Sequence, residues 1–260
     1  MEPLFSEFSY GYAVTQELAN GKLGFRAQAI FPSLRKEGQI GGGFDVKLLP
    51  KRGSPLFLQF KRSHYMKRVY SAQWSKFHGP YYKMPLMRSK YSMQHELLVY
   101  LELSNNNDVY YIAPEFYTDD KLTNYYWSRS VFDNSALFVP SDIGNLPDDG
   151  PHYIAFDHSA IAYLCSDEQK NVNKIAGGQP FTERYKSTTK QTSSELTGEF
   201  FDKITEDMFR VLDKNKVDTM RLKTLRSQPV VRESFADKVE FAGFLSRSYF
   251  DTELLIVQLD

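Results

Sequence analysis

A chain of 260 residues with 42% hydrophobic and 25% charged residues has the composition of a folded globular protein, which excludes a disordered or fibrous chain. Its 32 Lys/Arg balance 32 Asp/Glu, so net charge selects no partner, and a single cysteine, Cys165, excludes an intramolecular disulfide and a cysteine-rich zinc centre. No run reaches the ~18 apolar residues that a membrane span requires, and the opening Met-Glu-Pro-Leu-Phe-Ser-Glu lacks the basic start and apolar run of a secretory signal, so the expectation is a cytoplasmic protein without membrane association.

In chain order, Ser9 to Asn20 reads as a helix, with Ser9 as its cap and Gly21 just past its end. Tyr10, Ala13, Val14 and Leu18 form its apolar stripe, and Glu17 borders that stripe. Phe25 to Ile30 reads as a strand. Gly41-Gly42-Gly43 then leads into a strand over Phe44–Leu49, joined through Pro50-Lys51-Arg52-Gly53-Ser54-Pro55 to another over Leu56–Arg62. That turn chemistry predicts a hairpin. Further on, Tyr81–Met87 reads as a strand, Met93–Leu103 as a helix and Val109–Ala113 as a short strand stopped by Pro114. This order predicts an α/β fold with a mixed central sheet.

The second half carries fewer signals. Ala136–Val139, His152–Phe156 and Ile161–Leu164 read as short strands. Residues 166–195 are polar, with Gly177-Gly178, Thr188-Thr189 and Ser193-Ser194, and read as a long loop. A helix is expected over Glu195–Leu212 and a closing strand over Leu254–Leu259. The expected division is a core over 1–130 and a C-terminal α+β region over 131–260 that continues or extends it.

Charge is distributed unevenly between the halves. Residues 1–130 carry 17 Lys/Arg and 11 Asp/Glu, a net of +6, whereas residues 131–260 carry 15 and 21, a net of −6. Between Asp45 and Glu96 there are eleven Lys/Arg and no acid. Such a tract suits a polyanion or a solvated face. Arg62, Lys67, Arg68, Lys76, Arg88 and Lys90 are its candidate phosphate contacts, interleaved with Tyr65, Tyr70, Trp74, Phe77, Tyr81 and Tyr82. Basic groups meet phosphates, and rings stack on unpaired bases or fill the core.

Alternation along a strand puts Phe57, Gln59 and Lys61 on one face, with Leu56, Leu58 and Phe60 on the other. A hairpin would bring Asp45 to Gln59 and Lys61. A carboxylate and an amide oxygen suit a hard divalent cation, and an adjacent lysine can position or deprotonate a water.

Gly43-Phe44-Asp45-Val46, followed by Leu56-Phe57-Leu58-Gln59-Phe60-Lys61, resembles the core motif of the PD-(D/E)XK (restriction-endonuclease-like) nuclease superfamily. Phe44 stands where that motif usually has proline. Gln59 stands in place of its second acid, as in Mrr-like members with Gln-x-Lys. Glu17 matches the glutamate that the preceding helix often adds. The resemblance covers about residues 9–113.

It implies a restriction-endonuclease-like core and Mg²⁺-dependent hydrolysis of DNA, with Mn²⁺ able to substitute. Asp45, Gln59 and Glu17 would be ligands, with Lys61 as the water-positioning group. A place in restriction or anti-phage defence follows by family analogy alone. The alternatives are an RNA-directed nuclease and a catalytically inactive nucleic-acid-binding module. Self-association or a partner protein is left open.

Overall fold

The computed structural model describes residues 1–21, 25–29, 52–87, 92–104, 107–146, 150–166, 169–189, 194–217, 219–227 and 235–259. Helix α1 (Glu7–Ala19) begins two residues before the expected start, because the Ser6 hydroxyl, not that of Ser9, caps it by accepting the Ser9 N–H at 2.9 Å. The chain continues through β1 (Phe25–Ala29), β2 (Arg52–Phe60), β3 (His64–Met66), α2 (Trp74–Phe77) and β4 (Tyr81–Pro85). Next come α3 (Gln94–Leu103), β5 (Asp108–Pro114), α4 (Asp119–Ser128), β6 (Ser135–Phe138) and α5 (Pro140–Ile143). Strands β7 (Tyr153–Phe156) and β8 (Ala162–Cys165) fall close to the expected His152–Phe156 and Ile161–Leu164.

The stretch expected as a long loop contains β9 (Lys170–Asn171), β10 (Ile175–Ala176), α6 (Gln179–Thr189) and β11 (Ser194–Glu195). Its Gly177 marks a close approach of chains: a Cβ there would stand 1.8 Å from the Phe132 carbonyl oxygen. The helix that follows is anchored by the fully buried rings of Phe181 and Tyr185, one turn apart and stacked at 5.6 Å. Helix α7 (Gly198–Lys214), α8 (Thr219–Ser227), α9 (Phe235–Phe250) and β12 (Glu253–Leu259) follow.

The larger sheet runs β1-β12-β2-β5-β6-β10, with β11 also paired to β2. Strands β2 and β5 are parallel, connected through α3, and the other pairs are antiparallel. The fold is therefore α/β with a mixed sheet flanked by helices. A second, antiparallel sheet runs β3-β4-β7-β8-β9.

The expected hairpin is corrected by this topology. Arg52–Pro55, read as a turn, are the first residues of β2. Leu56, Phe57 and Leu58 are paired on both edges, by β12 on one side and β5 on the other. No edge is left there for a strand over Phe44–Leu49, which itself lies outside the described residues. The central position suits β12 physically: Leu254-Leu255-Ile256-Val257 is apolar on both faces, as a strand covered on both sides requires.

Two cores follow from the alternation. Leu56, Leu58, Phe60, Tyr110, Ile112, Leu255 and Val257 meet the stripe of α1, where Tyr10, Ala13, Val14 and Leu18 are all buried. Phe57, Val109, Tyr111, Leu254 and Ile256 face the opposite way, toward α3, α7 and α9. Each such fully buried large side chain stabilises the fold by roughly 1.5–3 kcal/mol. The face assignment expected for Leu56–Phe60 therefore holds. Among the described residues, no helix is long and apolar enough to cross a membrane.

Asp108, at the start of β5, is an exception to this apolar packing. Burial pushes its carboxyl up to about 6, while the Tyr110 hydroxyl, donating to it at 3.2 Å, and Arg184 pull the other way. A folded-state value above the unfolded one means the site favours folding while protonated and loses that contribution as pH rises from about 4 to about 6. Asp108→Asn, which keeps an acceptor for Tyr110, should raise the melting temperature at about pH 7 and leave it nearly unchanged at about pH 4. Thermal unfolding of both proteins at the two pH values checks this.

Candidate active site

Strand β2 delivers Gln59 and Lys61 to the carboxyl end of the sheet, beside the carboxyl end of its parallel neighbour β5. The register persists one residue past β2, where the Lys61 N–H donates to the Ile112 carbonyl at 2.9 Å. Both side chains are buried, Gln59 at 1% exposure and Lys61 at 9%. Buried polar groups of this kind must find partners.

They find them in residues from two other segments. Gln94, the first residue of α3, accepts a hydrogen bond from the Lys61 ammonium at 2.9 Å through Oε1. Its Nε2 donates to Gln59 Oε1 at 2.9 Å and to Asp251 Oδ2 at 2.7 Å. Gln59 Nε2 donates to the same Asp251 oxygen at 3.3 Å and to the Phe60 carbonyl at 3.0 Å. The amide orientations follow from the charges at either end. An ammonium needs the Gln94 oxygen, and a carboxylate needs both amide nitrogens.

Asp251 stands at the turn between α9 and β12 with φ 52, a left-handed conformation usually taken by glycine at the position after a helix cap. Its N–H donates to the Arg247 carbonyl at 3.2 Å, closing the helix end. The carboxylate is exposed on its outer side and reaches the buried amides on its inner side.

Helix α1 adds a second carboxylate. Glu7, in its first turn, accepts the Arg62 backbone N–H and feels both Lys61 and Asp251. Burial raises its pKa, with the Lys61 ammonium as the main opposing influence. Burial lowers the pKa of Lys61, opposed by Glu7 and Asp251. A desolvated lysine in the field of two carboxylates is suited to handling a proton. Of this group, Glu7, Gln59 and Asp251 border a cleft of about 290 Å³ between α1, the end of β2 and the α9–β12 turn, with Phe8, Gly11 and Tyr12 on its α1 side and Arg247 and Glu253 opposite.

Glu17 is corrected as a member of this group. It is buried near the other end of α1, where its two oxygens accept the N–H groups of Val131 at 2.7 Å and Phe132 at 2.9 Å. Ten residues of helix put it about 15 Å from Glu7 along the axis. The glutamate that α1 contributes is Glu7, and the signal for it was the Ser6 cap, which turns Glu7 into a first-turn residue. Asp45 lies outside the described residues, as do Arg88 and Lys90. Gln59 and Lys61 do come together. Asp251 carried no local signal beyond an acid where a helix ends.

Of the expected phosphate contacts, Arg62, Lys67, Arg68 and Lys76 are exposed, and Arg62 is tied to this group through its backbone N–H to Glu7. Most of the interleaved rings are packed: Tyr65 stacks on Tyr117 at 4.5 Å, while Tyr81 and Tyr82 are buried. Tyr70 stands in solvent at 81% exposure, with the Arg68 guanidinium 5.8 Å from its centroid. His95 is buried and turned elsewhere, Nε2 donating to the Gly144 carbonyl at 2.7 Å and Nδ1 accepting from the Tyr111 hydroxyl at 3.1 Å. Burial lowers its pKa, consistent with a neutral ring in that tautomer. Among the described residues no three His, Cys, Asp or Glu side chains form a metal-sized group. No family model, no curated protein and no solved structure matches the chain.

Proposed function

We propose that this chain is a metal-dependent nuclease hydrolysing DNA phosphodiester bonds, with Lys61 and Gln59 at the centre of its active site. The observation that carries this reading is the convergence of a buried lysine, two amides and the carboxylates of Glu7 and Asp251 at the carboxyl end of parallel strands. The order α1, β1, β2, followed after β3, α2 and β4 by α3 and β5, with β2 and β5 parallel, supports a restriction-endonuclease-like core.

Oxygen donors are what Mg²⁺ and Mn²⁺ take. The carboxylates of Asp251 and Glu7 and the Gln59 amide oxygen fit that donor set, and Asp45 would complete it. The bound ion would supply Lewis acidity toward the phosphate and its water. Lys61 holds or takes up the proton of the attacking water. Glu7 and Asp251 set how readily it does so, and Arg62 meets a flanking phosphate. Gln94 positions Lys61 through its amide oxygen.

A second reading, a binding module without catalysis, is favoured by one observation: Gln59 Oε1 is already engaged by Gln94 at 2.9 Å. Asp251→Asn tests the difference. The variant keeps the shape of the side chain but removes a charge, so metal affinity, read by titration calorimetry with Mn²⁺, should fall by roughly 10–100-fold. Mg²⁺-dependent cleavage of plasmid or oligonucleotide should fall with it. Wild-type protein that binds Mn²⁺ but never cleaves would leave the binding module as the function. Protein that does neither would remove both Asp251 and the metal from the account.

A further inference from the structure

We infer, on the premise that this cleft is the nuclease site, that Phe8 and Tyr12 form a stacking platform for unpaired bases, so that its substrate is single-stranded DNA. The two rings are one turn apart on α1 and both line the cleft, together with Gly11 and Thr15 on the same stripe. Phe8 is 81% exposed and Tyr12 is 53% exposed. The opposite stripe of this helix is buried against the sheet, so a helix with one core face carries a second apolar row where polar residues are normally placed. Two large exposed rings beside a polar, ion-paired cleft break that pattern at the place where the chemistry is proposed.

The backbone explains how the rings come to line the cleft. A Cβ on Gly11 would stand 3.0 Å from the Phe60 ring, so glycine lets α1 lie directly on the end of β2. Phe8 and Tyr12 then form the rim of the cleft whose floor holds Gln59. A cleft of about 290 Å³ lies at the small end of ligand sites. It accommodates a nucleotide unit and excludes a duplex, whose bases are stacked inside and offer no free face to a ring. Aromatic faces suit bases, and Arg247 in the cleft wall, with the exposed Arg62 whose backbone N–H Glu7 accepts, supplies cations for phosphates. That combination selects a single strand over an apolar peptide, which would have no use for the cations.

Fluorescence anisotropy on the full chain tests this, in Ca²⁺ buffer so that binding is read without turnover. The probes are labelled oligothymidylate, the same strand annealed to oligodeoxyadenylate, and the matching oligouridylate. The wild type should bind the single DNA strand at least about tenfold more tightly than the duplex. Phe8→Ala and Tyr12→Ala should each weaken single-strand binding by roughly five- to tenfold or more. They should change duplex binding less than about twofold and leave the salt slope intact, since no cation is removed. Phe8→Trp should restore binding, and both positions are exposed enough that the fold survives the change.

Equal losses on both DNA forms, no loss on either, or tighter binding of oligouridylate than of oligothymidylate would overturn the inference. A wild type that fails to cleave in Mg²⁺ or Mn²⁺ is a separate result. It would sink the nuclease reading, whereas the anisotropy series reads the platform alone.

Discussion

Under the proposed nuclease function, Lys61→Met is expected to lower the cleavage rate by on the order of 10²–10⁴-fold, the usual range for loss of a positioned acid–base group. Methionine retains the length and apolar stem of the side chain, so the substitution removes the ammonium without opening a cavity. Its structural cost is one unsatisfied acceptor, Gln94 Oε1, which is about 1–3 kcal/mol and readable by thermal unfolding. Mn²⁺ affinity should persist, because an ammonium competes with a cation and does not ligate it. The pH profile provides a finer test. Burial lowers the Lys61 pKa, and the carboxylates of Glu7 and Asp251 oppose that fall. Glu7→Gln removes one opposing charge, so the pKa of Lys61 falls further. If neutral Lys61 is the base, the rising limb of the rate profile moves to lower pH in Glu7→Gln. A limb that stays in place, with Lys61→Met still active, would remove the lysine from the chemistry.

Glu17→Ala should be among the most destabilising single changes in α1, while leaving the chemistry of the folded fraction intact. Its carboxylate holds two backbone N–H groups that are buried with it, at Val131 and Phe132. Truncation strands both donors, at about 1–3 kcal/mol each, so the total is on the order of 2–6 kcal/mol. In a domain of this size that corresponds to a fall in melting temperature of roughly 4–24 °C. Glu17→Gln should cost less, since the amide still offers one acceptor. The outcome that would restore Glu17 as a ligand is a stable Glu17→Ala protein with its Mn²⁺ affinity lost.

These two residues also mark what the linear chain discloses. The stripe of α1 and the alternation of β2 rest on contacts a few residues apart, and both are legible from period alone. Glu17 borders the stripe as expected, yet which group a border residue meets depends on a turn at 131–132 that no local pattern places. The group around Lys61 is drawn from the starts of α1 and α3, the end of β2 and the α9–β12 turn. Its members share no spacing. Helix α6 was hidden because Gly177 and Gly178 resemble loop punctuation, whereas Gly177 permits a chain contact that a Cβ would block. Leu254–Leu259 reads correctly as a strand, but the partner of a strand is decided by burial on both faces, and there the uninterrupted apolar run of β12 outcompetes a hairpin with its nearer neighbour.

The insertion of β12 between β1 and β2 has a consequence for biosynthesis. Gln59 and Asp251 are 192 positions apart, and at roughly 5–20 residues per second their translation is separated by roughly 10–40 s. During that interval β1 and β2 lack the strand that joins them, and β2 presents an open edge with apolar faces to solvent or to another nascent chain. The same event that closes this edge brings Asp251 to Gln59 and Gln94. A ribosome-bound chain halted before β12 therefore carries an aggregation-prone edge and an incomplete polar group around Lys61, and both are resolved in a single step.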